Sequence, residues 1–319
     1  MRATEMPLIP VKPRREIHGI CAAYLPWKPV AKIDFSSYEM MLESIWRSGL
    51  TPAINMDTGF ANLLSQTQRH EVLQFAKTAS QGRPMVAGVF VDDLPGYCLP
   101  HYQRGVEAVS SAGAMPILFQ CRDLVQRPDP DIVSVYEQIG ELGVDYLGFE
   151  LGTMFASFGA IYSIECFTEL VAIPRLLGLK HSSLSRELEW QRLAIRDAHR
   201  PDFRVYTGND LAIDMVQWGS DYLLGLAAFH PEAFALRDRY WREGDRRFFS
   251  INDALQLLGG FSFRAPVPAY KHNAAMALAL RGVIACDALH PEAPSRPPSD
   301  REFVAMIIER IESLMSDAV

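Results

Sequence analysis

Cysteine is scarce in this chain. The five residues, Cys21, Cys98, Cys121, Cys166 and Cys286, are an odd number, and no two form a CxxC pair. That excludes a disulfide framework or a zinc ribbon as the organising principle, and the thiols read as small buried hydrophobes in a reducing, cytoplasmic setting. Basic charge is also short: 31 Lys plus Arg stand against 38 Asp plus Glu, a net charge of -7. Without a concentrated basic face, neither nucleic acid nor an anionic membrane surface is an expected partner. No run approaches the roughly 18 uncharged apolar residues that a membrane span requires. The first sixteen residues mix Arg2, Lys12, Arg14 and Arg15 with Pro7, Pro10 and Pro13. They lack the apolar core of a signal peptide. Low-complexity segments and a G-x-G-x-x-G dinucleotide fingerprint are missing as well. What remains, 49% hydrophobic and 22% charged over 319 residues, is an ordinary globular mix with room for one large domain or two.

What is present is alternation. Eight short apolar runs recur: 17–26 (IHGICAAYLP), 50–57 (LTPAINMD), 85–92 (MVAGVFVD), 114–122 (AMPILFQCR), 144–152 (VDYLGFELG), 176–182 (LLGLKHS), 203–210 (FRVYTGND) and 222–229 (YLLGLAAF). They are near-continuously apolar, as strands buried on both faces are. Helical periodicity fills the gaps. Met40, Met41, Ile45 and Trp46 share a stripe in 36–48; Val72, Leu73 and Phe75 do so after Ser65, with Gly82 as a stop. Segments 105–112, 130–142 and 186–199 behave alike. Most strand starts lie about 30 residues apart, the size of a βαβ unit, and eight such units close into a (β/α)8 TIM barrel. A doubly wound open sheet is the alternative. From Pro231 onward the pattern is helical only, over 232–242, 252–258, 270–281 and 299–316. The expected layout is an N-terminal arm (1–16), a barrel (17–230) and a C-terminal helical extension of the same domain (231–319).

A barrel builds its active site at the C-terminal ends of its strands. The polar residues there are Tyr24, Asp57, Thr58, Asp92, Asp93, Arg122, Asp123, Glu150, Lys180, His181, Asn209 and Asp210. Lys180 is the most informative, because it ends the apolar run Leu176-Leu177-Gly178-Leu179. Desolvation disfavours an ammonium and lowers its pKa. A neutral amine there can form a Schiff base with a carbonyl substrate. A lysine in that place can also snorkel to solvent or pair with a carboxylate.

Around Lys180 the sequence resembles a known family. Gly178-Leu179-Lys180-His181-Ser182-Ser183 resembles the G-[IL]-K-x-[AS]-[ST] segment of the dihydrodipicolinate synthase and N-acetylneuraminate lyase family. Asn55-Met56-Asp57-Thr58-Gly59 resembles its N-G-T-T-G turn after strand two, and Met85-Val86-Ala87-Gly88-Val89 its V-I-A-G-[TV] strand. Tyr206-Thr207-Gly208-Asn209-Asp210 resembles the S-G-D-D/E turn after strand seven, and Pro266-Val267-Pro268-Ala269-Tyr270-Lys271 the N-P-x-P-x-K segment of the tail. These matches run in order over nearly the whole chain after residue 15. The resemblance implies a metal-free, cofactor-free class I aldolase or related lyase or dehydratase, a homotetramer or homodimer acting on a small keto substrate, with Lys180 as the Schiff-base residue. It also implies that Asp57, Thr58 and Gly59 hold the substrate.

The departures from the family concern the chemistry. At the end of strand five the family carries a proton-shuttling tyrosine; here Phe149 or Glu150 falls near that position. Phe cannot transfer a proton, whereas Glu150 could if burial raised its pKa towards neutrality. Tyr162 in the next loop reads first as a packing aromatic. The family's second tyrosine is replaced within Gln120-Cys121-Arg122-Asp123, and the arginine that often follows strand five is missing from Ala156-Ser157-Phe158-Gly159. The second loss argues against dihydrodipicolinate synthase activity itself. Asp57 stands where the family has a threonine, and an ionised Asp57 would repel a substrate carboxylate. Asp57 points away, or is protonated, or the substrate offers hydroxyls; the last is favoured, because Asp123, Glu150, Asn209 and Asp210 on the same rim also suit a polyhydroxylated, sugar-derived ligand. No metal-ligand spacing appears among them. The resulting expectation is a class I lyase with Lys180 as nucleophile, Glu150 as acid/base and Asp57, Thr58, Gly59, Asn209, Asp210 and Asp123 around the substrate. The alternatives are an imine-dependent dehydratase and a ligand-binding barrel that has lost catalysis.

Overall fold

Eight parallel strands close on themselves in a computed structural model that describes residues 9–316. They are β1 (Gly19–Ala22), β2 (Thr51–Ile54), β3 (Val86–Val89), β4 (Met115–Leu118), β5 (Tyr146–Leu151), β6 (Leu176–Ser182), β7 (Arg204–Thr207) and β8 (Asp221–Leu224). β1 pairs with both β2 and β8, which closes the ring. The chain is the (β/α)8 barrel that its alternating pattern predicts. Ile20, Ala22, Ala53, Val86, Ile117, Leu147, Phe149 and Leu223 fill the barrel as one apolar cluster. The opposite face of each strand meets the helices, so both faces are buried and the runs carry few polar residues.

The outer layer holds α1 (Phe35–Arg47), α2 (Gln66–Ser80), α3 (Leu99–Ser111), α4 (Asp129–Gly140), α5 (Ile164–Ala172), α6 (Arg186–His199) and α7 (Pro231–Glu243). Their starts are fixed locally. Asp34, Ser65, Ser163 and Ser185 each accept a backbone N–H of the first turn, and Ser65 with Gln68 completes a capping box. Each such cap stabilises by about 1 kcal/mol. Between β7 and β8 there is only a 3-10 stretch, Ile213–Trp218. Then α8 (Arg247–Ser262), α9 (Tyr270–Leu280) and α10 (Asp300–Ser316) follow, with α10 packed on α8 and α9. α9 also packs on the 3-10 turn Leu226–Phe229 just past β8, which brings its first residue, Tyr270, to the barrel mouth. Residues 1–8 of the expected arm lie outside the described residues.

Two local expectations are corrected, and one helix goes unforeseen. The chain after residue 224 is not strand but a tight 3-10 turn. α3 begins at Leu99, ahead of Gly105, because Pro100 suits a first helical turn. α5 carried no expectation at all; it is nine residues long and follows an irregular loop, so its period is hard to see.

The third correction concerns Glu150. Successive strand residues face opposite sides of the sheet. Phe149 points into the barrel, so Glu150 points out, towards α6. There it is fully buried, accepting from Arg192 Nε at 2.5 Å, Arg192 Nη2 at 3.1 Å and the Tyr162 backbone N–H at 2.9 Å, and touching His181 Nδ1. Burial acts to raise the carboxyl, but His181 and Arg192 outweigh it and hold it at about 2. Glu150 is a permanent anion tying β5, β6 and α6 together, and it does not titrate near neutrality.

Glu150→Ala would leave the Arg192 guanidinium buried without its anion. Its expected cost in chemical denaturation is about 3–5 kcal/mol, and Glu150→Met with Arg192→Met should cost less than the sum of the single changes. The folded-state value lies below the ordinary value of 4.5. The stability from this group is therefore present above about pH 4.5 and lost as pH falls towards about 2. Urea titrations across that window should show the loss in the wild type and a shallower one in the double variant.

Candidate active site

β6 pairs with β5 so that Lys180 lies beside Phe149, and with β7 so that it also lies beside Tyr206. Alternation turns Lys180 into the barrel and His181 out to Glu150. The lysine is 9% exposed. Its Nζ stands 4.3 Å from the centroid of the Phe149 ring and makes no hydrogen bond among the described residues. Burial pushes its pKa down to about 8, against the pull of Asp210 and Asp57. The side chain needs room that only glycine leaves. A Cβ on Gly208 would meet Lys180 Cε at 2.6 Å and Ser182 Oγ at 2.1 Å. A small hollow lies in front of the amine, walled by Asp57, Thr58, Phe149, Phe155, Asp210 and Tyr270 among others.

Polar groups from three distant parts of the chain meet there. Asp57 and Thr58 begin the 3-10 turn that follows β2. Thr58 Oγ1 and Tyr270 Oη are 2.8 Å apart, and Tyr270 Oη donates to Asp57 Oδ2 at 3.0 Å. Lys271 Nζ donates to Asp57 Oδ1 at 2.9 Å. Burial, and then the Asp57 charge, push the Tyr270 phenol well above its ordinary range, so it stays protonated. A Cβ on Gly225 would sit 2.9 Å from Thr58 Oγ1 and 3.1 Å from Tyr270 Cε2, so this glycine lets the trio close up. Asp210 follows β7 and accepts the Leu226 N–H at 2.7 Å. Burial raises its carboxyl to about 7, against that N–H and Lys180, with Asp57 adding to the rise. Lys180 and Asp210 thus titrate within reach of neutrality in one hollow, the pattern by which acid and base roles are divided.

Of the residues proposed from sequence, Lys180, Asp57, Thr58 and Asp210 come together. The others stand apart. Asn209 accepts the Leu211 N–H at 3.0 Å and shapes the turn that carries Asp210. Gly59 closes the turn after β2 with its N–H on Met56 O at 2.9 Å. Asp123 is engaged by Arg127 at 2.8 Å and by the Cys98 N–H at 2.9 Å, in a side hollow that does not include Lys180. Glu150 faces α6. Sequence reasoning missed Tyr270 and Lys271 as site groups, although the tail segment 266–271 that carries them was itself a recognisable match. It also left the register at Phe149 open, which the pairing with Lys180 fixes. Among the described residues, no group of three or more His, Cys, Asp or Glu is arranged to hold a metal.

The hollow shares Asp57, Leu151 and Phe155 with an outer chamber of about 400 Å³. A larger hollow, about 710 Å³, lies at the opposite end of the strands near Gly19, Thr51 and Met85. It contains neither Lys180 nor Asp210. Size alone would favour it, but barrel enzymes build their sites at the C-terminal strand ends, where Lys180 and Asp210 are.

Similar solved structures share this architecture. YagE, a prophage protein of the dihydrodipicolinic acid synthase family from E. coli K12 solved with pyruvate, superposes with a TM-score of 0.80 at 14% identity, covering 93% of this chain and 98% of its own. Dihydrodipicolinate synthase from Thermotoga maritima gives 0.78 at 15% identity over 93% and 99% of the two chains. The Acinetobacter baumannii dihydrodipicolinate synthase, chloride-inhibited and complexed with pyruvate, gives 0.77 at 18% identity over 93% and 99%. In fold, the resemblance to this family read from the sequence is borne out. No curated protein matches the chain in sequence. No helix among the described residues is long and apolar enough to cross a membrane. A family model described as "Protein of unknown function (DUF993)" matches residues 17–286, and the chain, a divergent dihydrodipicolinate synthase-like barrel, belongs to that DUF993 family.

Proposed function

We propose that the protein is a class I lyase that binds a small keto substrate covalently through Lys180, with Asp210 as its acid/base. The observation that carries this reading is the Lys180 amine: buried, without a hydrogen bond, shifted towards neutrality and opening on a hollow. The neutral amine attacks the carbonyl carbon; a proton moves to the carbonyl oxygen, and water leaves as the imine forms. Protonated Asp210 supplies a proton to the departing oxygen. The protonated imine then takes up the electron pair of a neighbouring carbon–carbon bond as it breaks, or that of a neighbouring C–H bond to give an enamine that expels a β-oxygen as water. Hydrolysis of the imine frees Lys180. Asp57 is neutralised by Lys271, so its negative charge does not bar a 2-keto acid from the hollow. Thr58 and Tyr270 offer hydroxyls to the substrate's oxygens. The cytoplasmic setting and the dimeric or tetrameric assembly expected from the sequence are part of the same proposal.

Borohydride with pyruvate should fix a reduced adduct on Lys180, located by peptide mass mapping. Lys180→Arg should give none, and a wild-type protein that also gives none with a series of keto compounds would sink the reading.

The productive state needs Lys180 neutral and Asp210 protonated, groups held at about 8 and about 7. Imine formation should therefore peak between pH 7 and 8 and fall on both sides, as apparent values of the coupled pair. Asp210 acts to raise the lysine value. Asp210→Asn should then shift the lysine-dependent rise to lower pH, abolish the fall at high pH and lower the maximal rate.

Tyr270→Phe removes the phenol shared by Thr58 and Asp57. Its expected effect is a rate loss on the order of 10²-fold, with the pH optimum kept, measured by single-turnover trapping.

A further inference from the structure

The outer chamber carries information about the substrate's second half. Its charged groups and the Gln120 amide are already engaged, whereas the Asn62 amide and the Ser157 hydroxyl on its wall have no side-chain partner among the described residues. Arg122 bonds Asp92 at 2.5 Å, Arg69 binds Asp93, and Lys271 holds Asp57 at 2.9 Å. Gln120 accepts from the Leu151 and Ala160 N–H groups and donates to Ala160 O at 2.7 Å. Beyond Asn62 and Ser157, what the chamber has left to offer a ligand is largely phenyl surface. Phe149, under the amine, meets Phe119 edge-on at 5.0 Å between centroids, and Phe119 meets Phe90 edge-on at 5.8 Å. Phe155 walls both the hollow and the chamber, and Phe158 lies under the Arg122 guanidinium at 4.8 Å. A track of ring edges and faces therefore runs from the nucleophile outward.

We infer that the substrate carries an aryl group on the arm beyond its carbonyl, and that this group lies along the Phe119, Phe90 and Phe155 rings. The inference rests on the imine reading for the carbonyl end only. A polyhydroxylated arm would find Asn62 and Ser157 open, and its other hydroxyls would compete with ion pairs that are already closed. An aromatic arm exchanges water for ring contacts of the offset and edge-to-face kind. This departs from the sugar-derived substrate that the rim carboxylates suggest in the sequence. Those carboxylates are present, but Asp57 and Glu150 are paired with cations remote in the chain, Lys271 and Arg192, and Asp123 with nearby Arg127.

Two measurements test it separately from the imine chemistry. In borohydride trapping, 4-phenyl-2-oxobutanoate should half-saturate labelling of Lys180 at a concentration about tenfold lower than a 2-keto-3-deoxy sugar acid does. Phe155→Leu and Phe90→Leu should each narrow that ratio. Equal or reversed preference would overturn the inference while leaving the lysine chemistry standing. In thermal shift, 3-phenylpropanoate, which has no carbonyl to condense, should stabilise the wild-type protein where gluconate does not, and Phe155→Leu should lose the shift. If no keto compound labels Lys180 yet the 3-phenylpropanoate shift appears and depends on Phe155, the imine reading fails and the aryl chamber stands. If 3-phenylpropanoate gives no shift, or one indifferent to Phe155, the aryl chamber fails.

Discussion

The site depends on keeping an amine and two carboxylates in one hollow without letting them neutralise each other. Asp57 and Asp210 both face the space in front of Lys180, yet neither forms an ion pair with it within 4.0 Å. Each acid has another partner. Asp57 is held by Lys271 and Tyr270, and Asp210 by the Leu226 N–H. The amine is left against a phenyl ring, where burial can act on its pKa. Were either carboxylate free to swing onto Lys180, the contact would favour the ammonium over the neutral amine.

That separation is built from the whole fold. Asp57 comes from the end of β2, Lys180 from β6, Asp210 from the loop after β7, and Tyr270 with Lys271 from the helix that follows the barrel. Gly208 and Gly225 admit the lysine stem and the Thr58–Tyr270 pair at distances no Cβ would allow. On the outer face of β5 and β6, Glu150, His181 and Arg192 pin the two strands that set the height of Phe149 and Lys180. One strand pair thus serves two ends. Its outward residues carry a charge network, and its inward residues carry Lys180 and the ring beneath it.

How much of this was readable in advance follows from which interactions are local. The barrel was legible because strands buried on both faces are apolar throughout, and eight of them show in eight runs. Lys180 was legible because a lysine closing such a run stands out. Glu150 was misread because strand parity was left open: one residue of shift moves a side chain from the barrel interior to the helix layer. Asp123 and Asn209 were chosen for lying on the rim and Gly59 for the family turn it resembles, but their partners, Arg127, Leu211 and Met56, turn them to local tasks. Tyr270 was missed as a proton-bearing group because only folding brings the start of α9 over β2. Nothing in the sequence near residue 270 announces Asp57 or Thr58 as neighbours.

Phe149 shows why the proton-handling groups stand where they do. In the family that this sequence resembles, strand five supplies a tyrosine near the lysine. Here that strand supplies a ring with no hydroxyl, which leaves the amine dry on that side but gives it no proton donor. Under the proposed chemistry the proton must then come from another wall of the same hollow. Two walls offer one: Asp210, buried to about 7, and Tyr270, whose phenol stays protonated. They differ in what they can do near neutral pH. Asp210 can both lose and regain a proton, as an acid/base must, whereas Tyr270 can donate a hydrogen bond but is held far from ionising. Under the proposed chemistry, proton transfer therefore falls to Asp210 and orientation of Asp57 and Thr58 to Tyr270.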